Sequence, residues 1–264
     1  MPARTTATTT SKSLVERAVH FERETSALVC DRVEEHAFGL WIRCSAHPKL
    51  WSLNQLYVIG AHPELTAEQL TAELDRGLAD VGHRRVVVED DATGRALSEP
   101  MRDAGYSVVP LMVLLLAESP PAPDPALVHE VDNETMSAVQ ARLLDDEDEV
   151  PPADRPVIVA GQAHVRATVP GTRSYAGVLD GEDVGQTNLY CHGGVGQPEH
   201  VITAPAARGR GIAAAMVARA TLDAVDAGCD LVFMVCDAAT GPFQLYAGLG
   251  YRAAGRFWTF TRPG

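Results

Sequence analysis

The chain predicts an α/β (α+β) fold in two tandem units, on three observations. Short apolar strands alternate with helical segments in both halves. A proline-rich stretch, Ser119-Pro120-Pro121-Ala122-Pro123-Asp124-Pro125, splits the chain into halves of similar size, because such a run tolerates neither helix nor central strand. A strand-helix-strand pattern closed by a Gly-Tyr pair occurs in each half, the mark of an internal repeat. The expected organisation is a disordered tail (1–12), a first domain (13–118), a linker (119–126) and a second domain (127–264).

Residues 1–11 are rich in Thr and Ala without periodicity, which suggests disorder. In the first half, Val58-Ile59-Gly60-Ala61-His62-Pro63 leads into a helix whose start carries the Thr66-x-x-Gln69 capping pattern. Residues 85–90, Arg-Val-Val-Val-Glu-Asp, read as a buried strand. A helix over 95–104 closes at Gly105-Tyr106, and 107–116 form a strand. In the second half, strands are expected over 127–131, 173–179, 184–191 and 200–203, with a hairpin turn at Gly193-Gly194-Val195-Gly196. A helix is expected over 134–144. The acidic run Asp145-Asp146-Glu147-Asp148-Glu149 reads as a helix end running into a loop. A long Ala-rich helix over 207–227 stops at Gly228. A buried strand over 231–236, a short helix over 243–247 ended by Gly248 and Gly250, and a final strand over 256–261 complete the half.

Composition narrows the function classes. Hydrophobic residues at 46% and charged residues at 22% predict a packed core. A net charge of -13 opposes a nucleic-acid partner. Cys30, Cys44, Cys191, Cys229 and Cys236 form no metal-ligand spacing, so no metal is expected, and their odd number in a long chain fits a reducing cytoplasm. The longest apolar run, 108–117, contains Pro110 and is too short to cross a bilayer, so no membrane partner is expected.

The segment that carries chemistry is Val201-Ile202-Thr203-Ala204-Pro205-Ala206-Ala207-Arg208-Gly209-Arg210-Gly211-Ile212-Ala213. A strand ends at Thr203 and a helix begins within the glycine-rich run. A helix N-terminus offers unsatisfied N–H groups and partial positive charge. Gly209 and Gly211 remove side chains that would hold a phosphate off those amides, while Arg208 and Arg210 add positive charge. The arrangement suits a pyrophosphate. Neither a Walker A loop nor a dinucleotide fingerprint is present.

This run resembles the Arg/Gln-x-x-Gly-x-Gly/Ala signature of the GNAT acyltransferase superfamily, with Arg208, Gly211 and Ala213 at its defining positions. Leu245-Tyr246-Ala247-Gly248-Leu249-Gly250-Tyr251 is similar to the family's Leu-Tyr-x-x-x-Gly-Phe/Tyr segment. The resemblance covers residues 125–264; the first half joins through the repeat. It implies two tandem GNAT-like domains, each a mixed, mostly antiparallel twisted sheet flanked by helices. It further implies acetyl-CoA as acyl donor, with its pyrophosphate on Arg208 to Ala213 and its pantetheine arm between the strands ending at Thr203 and Cys236. One departure is visible: relatives often carry Asn early in the turn before the tyrosine helix, and here the turn reads Asp237-Ala238-Ala239-Thr240-Gly241-Pro242.

The implied reaction is direct attack of an amine on the thioester. Backbone N–H groups near Val201, Ile202 and Thr203 would bind the thioester carbonyl, and Tyr246 would protonate the leaving thiolate; otherwise Tyr246 is a packing residue. Glu199, nine residues before Arg208, is the expected base. Its alternatives are a solvated residue at a strand start, His200 as base, or deprotonation in solvent. Cys191 and Cys236 lie in apolar strands and read as core.

The first half is expected to be a degenerate copy. Opposite the glycine run stand Glu64-Leu65-Thr66-Ala67-Glu68-Gln69-Leu70, and Met101 takes the place of Tyr246. The expected acceptor is the primary amine of a small molecule, to which the acidic run at 145–149 could contribute. The alternatives are lysine or N-terminal acetylation of proteins, and a non-catalytic acyl-CoA-binding regulator. A homodimer is compatible with the sequence.

Overall fold

The computed structural model describes residues 5–145 and 150–264, with side chains from Leu14 onward. Among the described residues the chain forms seven α-helices and eleven strands, in two compact units. The first comprises Met1–Val113, Val235–Gly241 and Ala254–Gly264; the second comprises Leu114–Met234 and Pro242–Ala253.

The first unit is built from α1 (Thr5–Val29), β1 (Arg32–His36), β2 (Gly39–Arg43), β3 (Asn54–Val58), α2 (Ala67–Gly77), β4 (His83–Val88), α3 (Asp91–Asp103) and most of β5 (Ser107–Leu116). It also takes the last strand of the chain, β11 (Tyr251–Pro263), from Ala254 onward. The strand order is β1-β2-β3-β4-β11-β5. The first three strands are antiparallel to one another, β3 and β4 are parallel, and β11 runs antiparallel to β4. Leu70 and Leu74 of α2 and Leu97 and Met101 of α3 pack on Leu56, Val86, Trp258 and Phe260.

The tail expected over 1–12 is helical from Thr5; residues 1–4 lie outside the described ones. The helix α1 is anchored by Ala18, Phe21, Thr25 and Val29, all buried. Their spacing of three to four residues puts them on one face. Thr5 to Lys12 extend that anchored helix at its N-terminal end.

Gly94 shows how closely α3 seats on the sheet. A Cβ there would lie 2.1 Å from Trp258 Cδ1 and 2.3 Å from its Cγ. Gly94→Ala is therefore expected to cost about 1–3 kcal/mol of stability through overpacking. The urea midpoint of unfolding measures it, and an unchanged midpoint would contradict the packing described.

The second unit contains β6 (Val128–Val131), α4 (Asn133–Asp145), α5 (Arg155–Thr168), β7 (Arg173–Leu179), β8 (Glu182–His192), β9 (Val195–Thr203), α6 (Ile212–Asp226), most of β10 (Leu231–Asp237) and α7 (Phe243–Gly248). Its strand order is β10-β9-β8-β7-β6, antiparallel except for the parallel pair β9/β10. Helix α6 covers one face. Gly177 of β7 leaves room for Ile212 and Met216 and Gly185 of β8 for Met216, which a Cβ at those positions would strike. On the other face, Met136, Val139 and Leu143 of α4 pack against Ala176, Ile202 and Ala204.

Helix α5 is not among the elements expected from the sequence. Its Arg166 is buried and ties it to α4, donating to Asn133 Oδ1 (2.7 Å), Ser137 Oγ (2.8 Å) and Gln140 Oε1 (3.2 Å). Asp145 pairs with Arg155 at 2.9 Å, whereas residues 146–149 of the acidic run lie outside the described residues. The hairpin between β8 and β9 turns on Gly193 and Gly194 alone (φ 58° and 78°), the double left-handed conformation of a two-residue turn. Strand β9 therefore starts at Val195, five residues before the expected position. The two Gly-Tyr pairs behave alike. Gly105 and Gly250 are left-handed (φ 84° and 89°), and Tyr106 and Tyr251 are buried at the start of the next strand. No helix of the described residues is long and apolar enough to cross a membrane.

Candidate active site

The site of the second unit begins with two parallel strands that separate. β9 and β10 are partnered only at Val195/Leu231 and Gly196/Val232. Beyond that point β9 remains bonded to β8 on its other side, but with a bulge. Asn188 faces Glu199 and Gln186 faces Ile202, so Thr187 stands against the two residues His200 and Val201. His200 has φ 57°, and Thr187 Oγ1 donates to the Glu199 carbonyl at 2.9 Å. An extra residue in one strand bends it. The bulge thus directs the last residues of β9 away from β10 and opens a wedge between them.

A cavity of about 440 Å³ lies along this end of β9. Val201, Ile202 and Thr203 line one side, Pro242, Leu245 and Tyr246 another, and the glycine loop closes the end. The helix expected from residue 207 begins only at Ile212. Pro205–Ala207 form a short 3-10 turn, and residues 208–211 are loop. Gly209 and Gly211 are both left-handed (φ 74° and 80°), a conformation that costs other residues about 1–2 kcal/mol. A Cβ at Gly209 would have no neighbour within 4 Å, and at Gly211 only Leu127 Cδ1 at 4.0 Å. Glycine is set here by backbone conformation, and the space before the loop stays open.

The first helical bond of α6 is Ala215 N–H to Gly211 O, so the amides of Ile212, Ala213 and Ala214 precede the intrahelical ladder. They point out of the helix start, where its dipole is positive. Arg208 lines the cavity and donates through Nε to Thr203 O at 3.1 Å. Thr203 Oγ1 is buried with no protein partner. Arg210 is exposed and does not line the cavity, in contrast to its neighbours. An open loop of left-handed glycines, a bare helix start, Arg208 and an orphaned hydroxyl together suit a phosphate-bearing ligand. Tyr246 is 5% exposed and meets Tyr251 edge-on, ring centroids 6.5 Å apart.

Glu199 and His200 lie at the bulge, outside the residues lining the cavity. Burial pushes the Glu199 carboxyl up, to about 7, and its Oε1 is 3.8 Å from His200 Nε2. Burial, aided by the Arg166 charge, pushes His200 down to about 4. Gln162 Nε2 approaches His200 Nε2 at 3.4 Å. Gln162 and Arg166 thus belong to the surroundings of Glu199 and His200, although neither is a site residue expected from the sequence. The available signal was Gln162 and Arg166, two polar residues one turn apart, among the apolar Val157, Ile158, Val159 and Val165.

Among its described residues the first unit shows no such arrangement. β3 and β4 are partnered at Leu56/Val86, Tyr57/Val87 and Val58/Val88, and Glu89 N–H continues the ladder to Val58 O at 3.1 Å. No wedge opens. The start of α2 is closed by a capping box: Gln69 N–H donates to Thr66 Oγ1 and Thr66 N–H to Gln69 Oε1. Met101 is fully buried in the core. This unit does hold a cavity of about 640 Å³ at the ends of β3 and β4, lined by Glu16, Glu89, Asp90 and Asp91 together with His20, Arg23 and Arg256, and Arg23 pairs with Glu89 and Arg256 with Asp91. Asp90 caps α3 by accepting from Thr93 N–H at 3.0 Å. The two arginines there are engaged by carboxylates, and Gly60 and Gly255 are the only glycines lining the cavity, so no run of closely spaced glycines borders it.

No protein-family model and no curated protein sequence matches the chain. Solved structures do. A GCN5-related N-acetyltransferase from Kribbella flavida is 19% identical, with a TM-score of 0.56 over 92% of this chain and 95% of that one. A GCN5-related N-acetyltransferase from Sphaerobacter thermophilus is 18% identical, with a TM-score of 0.54 over 77% and 70%. A functionally unknown conserved protein from Staphylococcus epidermidis is 12% identical, with a TM-score of 0.64 over 89% and 94%. Identities this low establish likeness of fold, and the fold of this chain is that of the GCN5-related N-acetyltransferase (GNAT) superfamily.

Proposed function

We propose that the protein is an acetyl-CoA-dependent N-acetyltransferase that acetylates the primary amine of a small molecule by direct attack. The observation that carries this reading is the meeting, in one cavity, of a left-handed glycine loop at a helix start with the end of β9 that has no ladder partner on β10 and with Tyr246. The amides of Gly209, Gly211, Ile212 and Ala213, with Arg208, would hold the diphosphate of coenzyme A. Arg210 would contribute only long-range charge from its exposed position. Backbone groups of Val201, Ile202 and Thr203, freed from β10, would bind the pantetheine arm and the thioester carbonyl. Bound acetyl-CoA supplies the activated acyl group. Tyr246 would donate a proton to the departing sulfur, and Glu199 would take one from the amine.

The test is an assay of candidate amines with acetyl-CoA, read as thiol release. Sustained turnover with at least one amine supports the proposal and excludes a purely binding role. Binding of acetyl-CoA without turnover across small amines, but with acetylation of protein lysines or N-termini, would redirect it to a protein substrate.

The raised Glu199 pKa predicts a pH dependence. A base must be unprotonated to act, so kcat/KM for the amine is expected to rise as pH increases through about 7 and to level off above it. In Glu199→Gln that inflection should disappear and kcat/KM should fall about 100-fold. A Glu199→Gln profile identical to that of the wild type would assign deprotonation to solvent.

A further inference from the structure

Two sulfurs of the second unit touch at the closed end of the wedge. Cys191 Sγ, on β8, lies 2.9 Å from Cys229 Sγ, in the turn between α6 and β10. Neither residue is fully buried. Gly196 makes the approach feasible. It is the ladder partner of Cys191, and a Cβ on it would meet Cys229 Sγ at 3.3 Å, Cys229 Cβ at 3.6 Å and Ala224 Cβ at 2.7 Å. Any side chain at 196 would press Cys229 away from Cys191. The turn itself is held by Asp230 N–H and Leu231 N–H, which both bond to Gly194 O (2.9 and 3.3 Å). The other proximal thiols differ. Cys30 and Cys44 are each directed at a backbone carbonyl, Leu53 O and Val29 O, at 3.5 and 4.0 Å.

We infer that Cys191 and Cys229 form a dithiol–disulfide modification site. The oxidant is a low-molecular-weight disulfide. The Cys191 thiolate attacks one of its sulfurs, breaking the disulfide and releasing one thiol. Cys229 Sγ then attacks the Cys191 sulfur of the mixed disulfide, its proton leaving with the second released thiol. One small disulfide is reduced to two thiols, and two cysteines are oxidised to cystine. Burial and the neighbouring sulfur push the Cys229 thiol up to about 12, so the second step is carried by the closeness of the two sulfurs and is favoured by alkaline pH, which supplies the thiolate. The bond needs the sulfurs to close by about 0.9 Å, to the usual length near 2.05 Å.

The link would fasten β8 to the turn that leads into β10, beside the two ladder positions joining β9 to β10. It would clamp the closed end and leave the glycine loop untouched. This inference does not depend on the acetyltransferase reading.

The experiment uses the full chain. After incubation with oxidised glutathione at mildly alkaline pH, the intact mass should fall by two hydrogens. Non-reducing peptide mapping should give a Cys191–Cys229 cross-linked peptide that dithiothreitol dissolves. The oxidised protein should melt several degrees higher than the reduced one, because the link constrains the unfolded chain. The inference is overturned if both thiols stay open to alkylation, if they carry only glutathione adducts, or if the only link formed joins other cysteines.

Discussion

Replacing Gly211 by Glu should abolish acetyl-CoA binding while leaving the protein folded. The backbone at 211 is left-handed, so any side chain there costs about 1–2 kcal/mol. That cost is borne without a clash, since the nearest atom to a Cβ is Leu127 Cδ1 at 4.0 Å. A carboxylate at the start of α6 offsets part of it, worth about 0.3–1 kcal/mol beside the helix dipole. The folded state should therefore lose little. The ligand fares differently. The new carboxylate stands where the diphosphate must approach, and one unit charge about 5 Å from another costs about 3 kcal/mol at an effective dielectric near 20. That corresponds to a loss of affinity above about 100-fold. Titration calorimetry against acetyl-CoA, with the unfolding midpoint as control, measures both quantities. Gly211→Ala separates the two contributions, carrying the conformational strain without the charge. Wild-type affinity in Gly211→Glu would place the diphosphate elsewhere.

The second large effect is expected at Tyr246. Tyr246→Phe keeps the ring, and with it the edge-on contact to Tyr251 and the apolar wall beside Leu245. It removes only the hydroxyl. If that hydroxyl protonates the departing thiolate, kcat should fall about 100- to 1000-fold while acetyl-CoA affinity and stability stay near wild type. Single-turnover measurements would locate the loss in the chemical step. An unchanged kcat would leave Tyr246 a packing residue, as its burial alone would suggest.

Much of the architecture is legible in the sequence because local chemistry dictates it. The Thr66-x-x-Gln69 pattern predicts a capping box, and the box forms with both reciprocal bonds. The run from Leu231 reads as a buried strand because only apolar residues fill it. The expectations that fail concern elements whose stability comes from distant partners. Residues 5–12 look like a polar tail, yet they extend a helix held by Phe21 and Val29 further along. The start of α6 was expected too early because Ala207 favours a helix. The loop from Arg208 to Gly211 intervenes because its two glycines are left-handed. The last strand, read with the second half, enters the sheet of the first from Ala254.

Residues adjacent in the chain are enough to mark where a phosphate could be met. Two glycines, an arginine and a helix start within one short run are local features, and they stay together whatever the rest of the chain does. Only the tertiary structure decided that β9 parts from β10 while β3 and β4 stay joined to their ends. Only it brought Tyr246 to the same cavity and set Cys191 against Cys229. Those outcomes depend on ladder register and on a one-residue bulge opposite Thr187. Register is fixed by pairing between strands far apart in the chain, which no short stretch of residues encodes.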